Sequence, residues 1–317
     1  MNIKGLHHVT AIAGHPQRNL DFYAGVLGLR LVKRTVNFDD PGSYHFYFGD
    51  AAGTPGTILT FFPWPSARRG SRGVGEVEAT AFIIPAESTE YWLRRLQDQK
   101  VSVAPTTQRF GEEIIRFADP DGLIIELVAS NQPASGLPYT GSPVPEAHAI
   151  RGLHGITATL DHAENSARLL TEFFGYRLTQ EAGNRARYSA PTSTAFGQEI
   201  DLLSTPGVAQ GRAGAGTVHH IAFRVATAQE QLEWQRKIAD LGYGVSPVMD
   251  RTYFRSIYFR EPGGILFEIA TDVPGFTADE PEAELGRNLR LPSWMERSRA
   301  RIEAVLPAIT LPTEINS

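Results

Sequence analysis

Two histidine pairs open two strand-like runs near opposite ends of the chain, "GLHHVTAIAG" from Gly5 and "TVHHIAFRV" from Thr217. A weaker copy, "GLHGITATL", begins at Gly152 and has Gly155 where the second His would stand. A phrase repeated at intervals of this kind forces stacked copies of one supersecondary unit. Four units can be traced, each reading strand, helix, then three strands, with Gly and Pro marking the turns. Their expected spans are 1–63, 74–130, 151–205 and 216–272, with a linker at 131–150 and an extension holding a last helix at 273–317. The helices are carried by "NLDFYAGVLG", "STEYWLRRLQDQK", "ENSARLLTEFFG" and "AQEQLEWQRKIADLG". The closing strands follow the turns "FADPDG" and "FREPGG" in units two and four.

Composition narrows the chemistry. At 42% hydrophobic and 21% charged, the 317 residues have the make-up of a globular protein. A net charge of -5 argues against nucleic-acid or acidic-membrane partners. The basic cluster "ARRGSRG" at 67–73 is short and Gly-rich, and reads as a solvated loop. With no cysteine there is neither a disulfide framework nor a thiolate metal site, so a metal must rest on imidazole and carboxylate. No signal-peptide core or membrane-length apolar run is seen, and a cytoplasmic protein is the expectation.

The fourfold βαβββ order, with "FADPDG" or "FREPGG" before a final strand, resembles the vicinal oxygen chelate (glyoxalase/bleomycin-resistance/extradiol dioxygenase) superfamily. That resemblance spans roughly residues 5–272. It implies an α+β fold in which paired units form open eight-stranded barrels, each cup taking ligands from first and last strands. Strand alternation sorts the faces. Ile221, Phe223 and Val225 form an oily face that takes His219 with it, leaving His220 on the other. Ile265, Phe267 and Ile269 likewise leave Glu268 on the far face. In the first strand Val9 and Ala11 go with His7, and Thr10 with His8. The oily faces should lie under helices, so His8, His220 and Glu268 point into a cup.

Aligned across units one to four, the first-strand position is His8, Ala79, Gly155 and His220. The last-strand position is Phe61, Glu126, Asp201 and Glu268. Pairing one with two and three with four gives no cup with two His and a carboxylate. Pairing one with four and two with three gives one cup with His8, His220, Glu268 and Phe61. The other cup, with Ala79, Gly155, Glu126 and Asp201, is expected to hold no metal. A homo-oligomer in which a second subunit donates His8 satisfies the same arithmetic.

Two imidazoles and a carboxylate with open positions opposite suit Fe(II) that must meet both substrate and O₂, with Mn(II) the alternative. "KRTVNFDD", "YHFYFGD", "GNRARY", "HHIAF" and "YFRSIYFREPGGILFEIA" are similar to the hydroquinone ring-cleaving dioxygenase branch of the superfamily. This implies metal ligands at His8, His220 and Glu268, surrounded by His7, Thr10, His219, Arg251 and Tyr258. It also implies a small hydroquinone-type substrate and no further cofactor. Tyr258 is the expected proton donor and Arg251 the stabiliser of anionic charge. Plain core packing for Tyr258 and an exposed ion pair for Arg251 are the bland alternatives. His7 and His219, on the helix side by alternation, are as readily structural. His15, His45, His148, His154 and His162 have no repeat logic and read as surface or structural, and Glu126 as a relic. The C-terminal "SWMERSRARIEAVLPAI" reads as a helix packed on the barrel or a dimer mate, less readily as a lid. Rival functions are an extradiol catechol dioxygenase, a glyoxalase-type lyase and a non-catalytic aromatic-binding module.

Overall fold

The computed structural model describes residues 3–131, 137, 139–191 and 196–312. Parts of the expected 131–150 linker, and the extreme ends of the expected first unit and C-terminal extension, lie outside the described residues.

The first unit contains β1 (Leu6–Ala13), α1 (Pro16–Leu20, continued by a π turn over Asp21–Val26), β2 (Arg30–Asn37), β3 (Asp40–Gly49) and β4 (Ile58–Pro63). The second has β5 (Glu76–Pro85), α2 (Thr89–Asp98), β6 (Thr107–Arg109), β7 (Glu112–Ala118) and β8 (Ile124–Ser130). The third repeats the helix-to-π-turn device of the first: β9 (Gly152–Leu160), α3 (Glu164–Arg168, continued over Leu169–Phe173), β10 (Arg177–Ala182), β11 (Arg185–Ser189) and β12 (Glu199–Ser204). The fourth has β13 (Thr217–Val225), α4 (Ala228–Asp240), β14 (Met249–Asp250), β15 (Arg255–Arg260) and β16 (Leu266–Thr271). A final helix, α5, spans Arg299–Val305.

Local chemistry sets these boundaries. Thr227 caps α4 by accepting from the Glu230 amide, while the Glu230 carboxylate accepts from Ala226 N–H, so two otherwise orphaned donors are satisfied. The turns before β8 and β16 are built alike. Asp119 accepts from the amides of Asp121 and Leu123, Glu261 accepts from Ile265, and Gly122 and Gly264 take the positive φ that each turn needs. Four residues beyond each glycine, the strand presents Glu126 or Glu268.

The strands form two eight-stranded sheets, ordered β14-β15-β16-β13-β1-β4-β3-β2 and β10-β11-β12-β9-β5-β8-β7-β6. Unit one thus pairs with unit four and unit two with unit three, within a single chain, as the histidine arithmetic requires. In each sheet the two first strands meet antiparallel at the centre. The convex faces carry the helices: Trp92 and Leu96 of α2, and Trp234 and Ile238 of α4, are buried in one continuous core with Phe82, Phe174, Phe223 and Phe267. Burying an aromatic side chain of this kind contributes about 1.5–3 kcal/mol, so these anchors fix which sheet face turns inward.

The structure corrects two expectations here. The 67–73 stretch is not simply solvated. Its backbone pairs with the joint between units three and four, Ser71 and Arg212 exchanging amide bonds and Gly70 N–H donating to Ala215. The last helix is also shorter than "SWMERSRARIEAVLPAI". Ile302 packs with Val36 and Leu291 against unit one, and Tyr44 Oη donates to Pro307 O. It is therefore a helix docked on the barrel. The extension leading to it is pinned by Lys33, whose ammonium is buried between Asp279 and Glu280.

Candidate metal centre

Strand register decides what faces the cup. On the central pair, His8 lies opposite Ala222 and Thr10 opposite His220, a two-fold relation. Glu268 lies beside Ala222 on β16. Three ligand-type atoms, one each from His8, His220 and Glu268, fall within 4.8 Å of one another, and all three residues are buried. His220 Nε2 is 2.9 Å and His8 Nε2 3.4 Å from Glu268 Oε2, with 3.4 Å between the two imidazole nitrogens. Ser256 Oγ donates to the other carboxylate oxygen. Oε2 itself is buried without a hydrogen-bond partner. A buried carboxylate oxygen with no donor, faced by two imidazole nitrogens, is a donor set that wants a cation. Among the described residues no other such cluster occurs.

Electrostatics agree. Burial alone would raise the Glu268 carboxyl, but the close approach of the His8 and His220 imidazoles holds it well below the usual carboxylate range. Burial lowers His220 despite the opposing pull of Glu268, which favours a neutral ring able to offer a lone pair.

His7 and His219 do not sit on the helix side. The β1–β13 register slips by one residue between Leu6 and His8, and again between Thr10 and Ala11 opposite His219. Each slip leaves one extra residue, as a β-bulge does, and so breaks the period-two alternation on which the expectation rested. The result brings each pair together: His7 Nδ1 is 3.0 Å from His8 Nδ1, and His219 Nδ1 is 2.8 Å from His220 Nδ1. His7 also lies against Phe254. Partial desolvation and the adjoining His220 lower His219, although that residue stays exposed, and burial with His8 lowers His7.

The fourth position is corrected as well. Thr10 pairs with Thr60 on β4, so Thr60, not Phe61, corresponds to Glu268. Phe61 turns outward into the core against Tyr23, ring centres 4.4 Å apart. Thr10 and Thr60 hydroxyls bond at 2.8 Å, and Thr60 also meets His45 Nε2 at 2.9 Å.

Above the triad is a cavity of about 260 Å³. Phe38, Phe62, Trp64, Phe254 and Leu266 give it apolar walls, while Tyr258, Arg251, Tyr47 and His45 give it polar ones. Tyr258 sits opposite Glu268 on β15. Arg251 Nε donates to Tyr258 Oη at 3.2 Å and Nη2 to Asp39 of unit one at 3.1 Å. Tyr258 is thus more than core filler, and Arg251 is a partly buried link between units. His45, read from the sequence as surface or structural, lines the cavity instead, and Tyr47 was not singled out, because neither has a histidine or carboxylate counterpart in another unit. The remaining histidines stay outside this site: His15 caps α1, His148 stacks on Tyr91, His154 bonds Glu112 and His162 is exposed near Asp161.

Comparison with known proteins points the same way. The chain is 48% identical over 311 residues to a Bacillus subtilis (strain 168) protein named "Putative ring-cleaving dioxygenase MhqO", covering 98% of this chain and 97% of the relative. It is 34% identical to the chlorohydroquinone/hydroquinone 1,2-dioxygenase of Sphingobium indicum, with 93% of each chain covered. A crystal structure of a "putative dioxygenase" from Bacillus subtilis superposes with TM-score 0.93 at 47% identity, covering 98% of both chains. Glyoxalase I from Zea mays shares the fold alone, with TM-score 0.64 at 12% identity and coverage of 84% of this chain and 92% of that one. No helix among the described residues is long and apolar enough to cross a membrane. A family model for the Glyoxalase/Bleomycin resistance protein/Dioxygenase superfamily matches residues 5–127 and 152–269, two stretches that each contribute one unit to each cup, and the chain belongs to that superfamily.

Proposed function

We propose that the chain is a metal-dependent ring-cleaving dioxygenase that uses O₂ on a hydroquinone-type aromatic, with His8, His220 and Glu268 holding Fe(II). The observation that carries the reading is the buried triad opening on one side into an aromatic-walled cavity. Its near-full-length similarity to a named hydroquinone dioxygenase supports the substrate class. Fe(II) held by these three residues would supply the chemistry that activates O₂ and a phenolic oxygen, and Mn(II) is the alternative ion. At about 260 Å³ the cavity is below the usual range for drug-sized ligands, which favours a single substituted ring.

The protein's own contributions follow from the hydrogen bonds. A metal-binding Nε2 must present its lone pair, so the Nδ1 of His8 and of His220 carries the proton. His7 and His219 then accept hydrogen bonds from those N–H groups on their own Nδ1 atoms and hold each ring in orientation. Burial pushes the Tyr258 hydroxyl up, so it stays protonated at neutral pH. Because it accepts from Arg251, its own proton is free to be donated to a substrate oxygen. Arg251 stays cationic and balances anionic charge building at that wall. The apolar walls keep water away from the reacting ring.

The test is oxygen consumption. Protein loaded with Fe(II) under argon and then exposed to air should take up one O₂ per methyl- or chloro-hydroquinone consumed. Absence of uptake across hydroquinones and catechols overturns the reading, and turnover under argon would mark a lyase instead.

A further inference from the structure

We infer that Tyr47, held by His45, is a specificity-determining residue that hydrogen-bonds the second ring hydroxyl of the substrate, opposite the Tyr258–Arg251 wall. This rests on the hydroquinone reading above and goes beyond it.

The sheet's two-fold relation makes Tyr47 the counterpart of Tyr258. Tyr47 lies opposite Thr60 on β3–β4 as Tyr258 lies opposite Glu268 on β15–β16. The two residues thus come from different units and reach the cavity from opposite flanks of the curled sheet, and they are the two tyrosines that line it. A para-diol carries oxygens at both ends of its ring and needs a polar group at each wall. Phe38, Phe62, Trp64 and Phe254 offer faces for the ring. Of the other polar side chains on the lining, Asp39 is engaged by Arg251 and His219 by His220, which leaves Asn37 as the competing partner for the second hydroxyl.

Tyr47 is also held in place. Its Oη lies 2.9 Å from His45 Nδ1, His45 Nε2 lies 2.9 Å from Thr60 Oγ1, and Thr60 bonds Thr10 at 2.8 Å. Both imidazole nitrogens of His45 are therefore committed, and the histidine acts as a positioning residue. Oη has one donor proton and two lone pairs, of which His45 engages one site. The remainder is available to the cavity. The chain can run in either sense: Thr60 to His45 to Tyr47, leaving the phenol proton free, or the reverse, leaving a phenol lone pair free. Burial lowers His45 and raises Tyr47, so both stay neutral and the wall accepts or donates to a neutral hydroxyl without holding a charge. Thr60 in place of a carboxylate is what makes this possible, since its hydroxyl anchors His45 where Glu268 would bind metal.

The inference is tested by binding, with the Zn(II)-loaded protein so that no turnover intervenes, and with quenching of Trp64 in the cavity wall as the signal. Hydroquinone is compared with p-cresol, which keeps one phenol and replaces the second with methyl. Wild type should prefer hydroquinone by roughly five- to tenfold, the size of one neutral hydrogen bond. Tyr47→Phe should abolish the preference while binding p-cresol within about twofold of wild type. His45→Ala should reproduce that loss and add nothing in the Tyr47→Phe background, with unchanged near-UV dichroism. A preference retained in both variants, or equal weakening of both ligands, overturns the inference and leaves the dioxygenase reading standing. Failure of wild type to bind either phenol overturns both.

Discussion

The two half-barrels share one backbone plan and fill it with opposite chemistry. In the β1–β13 cup, the central bulges present His7 and His219, and the next positions present His8 and His220. In the β5–β9 cup the register slips at the same places, presenting Glu78 and His154, followed by Ala79 and Gly155. Both cups bury carboxylates on their closing strands, Glu268 in one and Glu126 and Asp201 in the other. The difference lies in what neutralises them. Arg116 and Arg187 occupy the strand positions of Tyr47 and Tyr258, and Arg185 that of Ser256. Arg109 and Arg116 bind Glu126, while Arg185 and Arg187 bind Asp201. A buried carboxylate requires a partner of opposite charge. One cup supplies it from its own guanidiniums, and the other leaves an oxygen of Glu268 without a donor. The contrast teaches that a metal-competent cup needs its arginines removed as much as its histidines installed.

The strongest way to break the comparison is to remove a triad member. On the proposed reading, His220→Ala or Glu268→Ala should strip the metal and cut O₂ uptake by more than about 100-fold, beyond the 10–100-fold typical of groups that merely orient ligands. Glu126→Ala should leave iron content and uptake unchanged. Metal analysis of the purified variants decides it, and iron loss from Glu126→Ala would show that the cups are not separate.

The same Glu126→Ala variant should fail in a different assay. Removing the carboxylate leaves Arg116 with Glu78 and Arg109 with the more distant Asp201. The expected loss is roughly 1–3 kcal/mol, below that of a fully broken buried pair because both guanidiniums keep a second carboxylate and reach water in part. Denaturant unfolding measures it, and a change below about 0.5 kcal/mol would mean the network is not holding the second cup together.

Sharpening the comparison inside the metal cup calls for milder changes. On the proposed reading of Tyr258 as proton donor and Arg251 as its cationic partner, Tyr258→Phe and Arg251→Gln should each keep the metal but lower kcat by about 100-fold, the low end for proton transfer. The double variant should be no worse than about the more severe single one, because Arg251 Nε and Tyr258 Oη act as one hydrogen-bonded unit. Additive losses in single-turnover kinetics would separate their roles.

How much of this could be read from the chain depended on whether a residue type repeats. His8, His220 and Glu268 recur at equivalent places in the units, and Gly155 marks the copy that lost its histidine, so the unit pairing followed from counting. Gly155 cannot regain a side chain there, because a Cβ would meet the Glu199 carbonyl oxygen at 1.9 Å. What the strict alternation passed over was the pair of bulges, whose mark is a spacing of three in the apolar pattern, Leu6 to Val9 and Val218 to Ile221. That is why His7 and His219 were read onto the helix face. The same blindness to register put Phe61 where Thr60 stands, one residue off. His45 and the arginine network were hidden for another reason: their partners lie on neighbouring strands whose pairing only the folded sheet defines.

The smallest expected effect is a pH one, confined to the second cup. Glu112 is part-buried, and burial by itself would raise its carboxyl. Hydrogen bonds from His154 Nε2 at 2.9 Å and Arg187 Nη1 at 2.5 Å override that and hold it down from its ordinary 4.5 to about 2. A carboxyl depressed in the folded state favours folding above its unfolded value and loses that advantage as pH falls through the folded one. The contribution should therefore be complete at pH 6 and decay between about pH 4.5 and 2. Solvent at this edge of the cup screens it to about 1–2 kcal/mol. Glu112→Gln should flatten the acid limb of stability over that window and do little near neutrality beyond a uniform offset, while iron binding at pH 7 stays as in wild type. Denaturant melts at pH 3 and pH 7 for the two proteins measure the difference. An acid limb unchanged by the substitution would assign the low-pH loss to other carboxylates, with Glu126 next in line, since Arg109 and Arg116 hold it below its ordinary value against the opposing effect of burial.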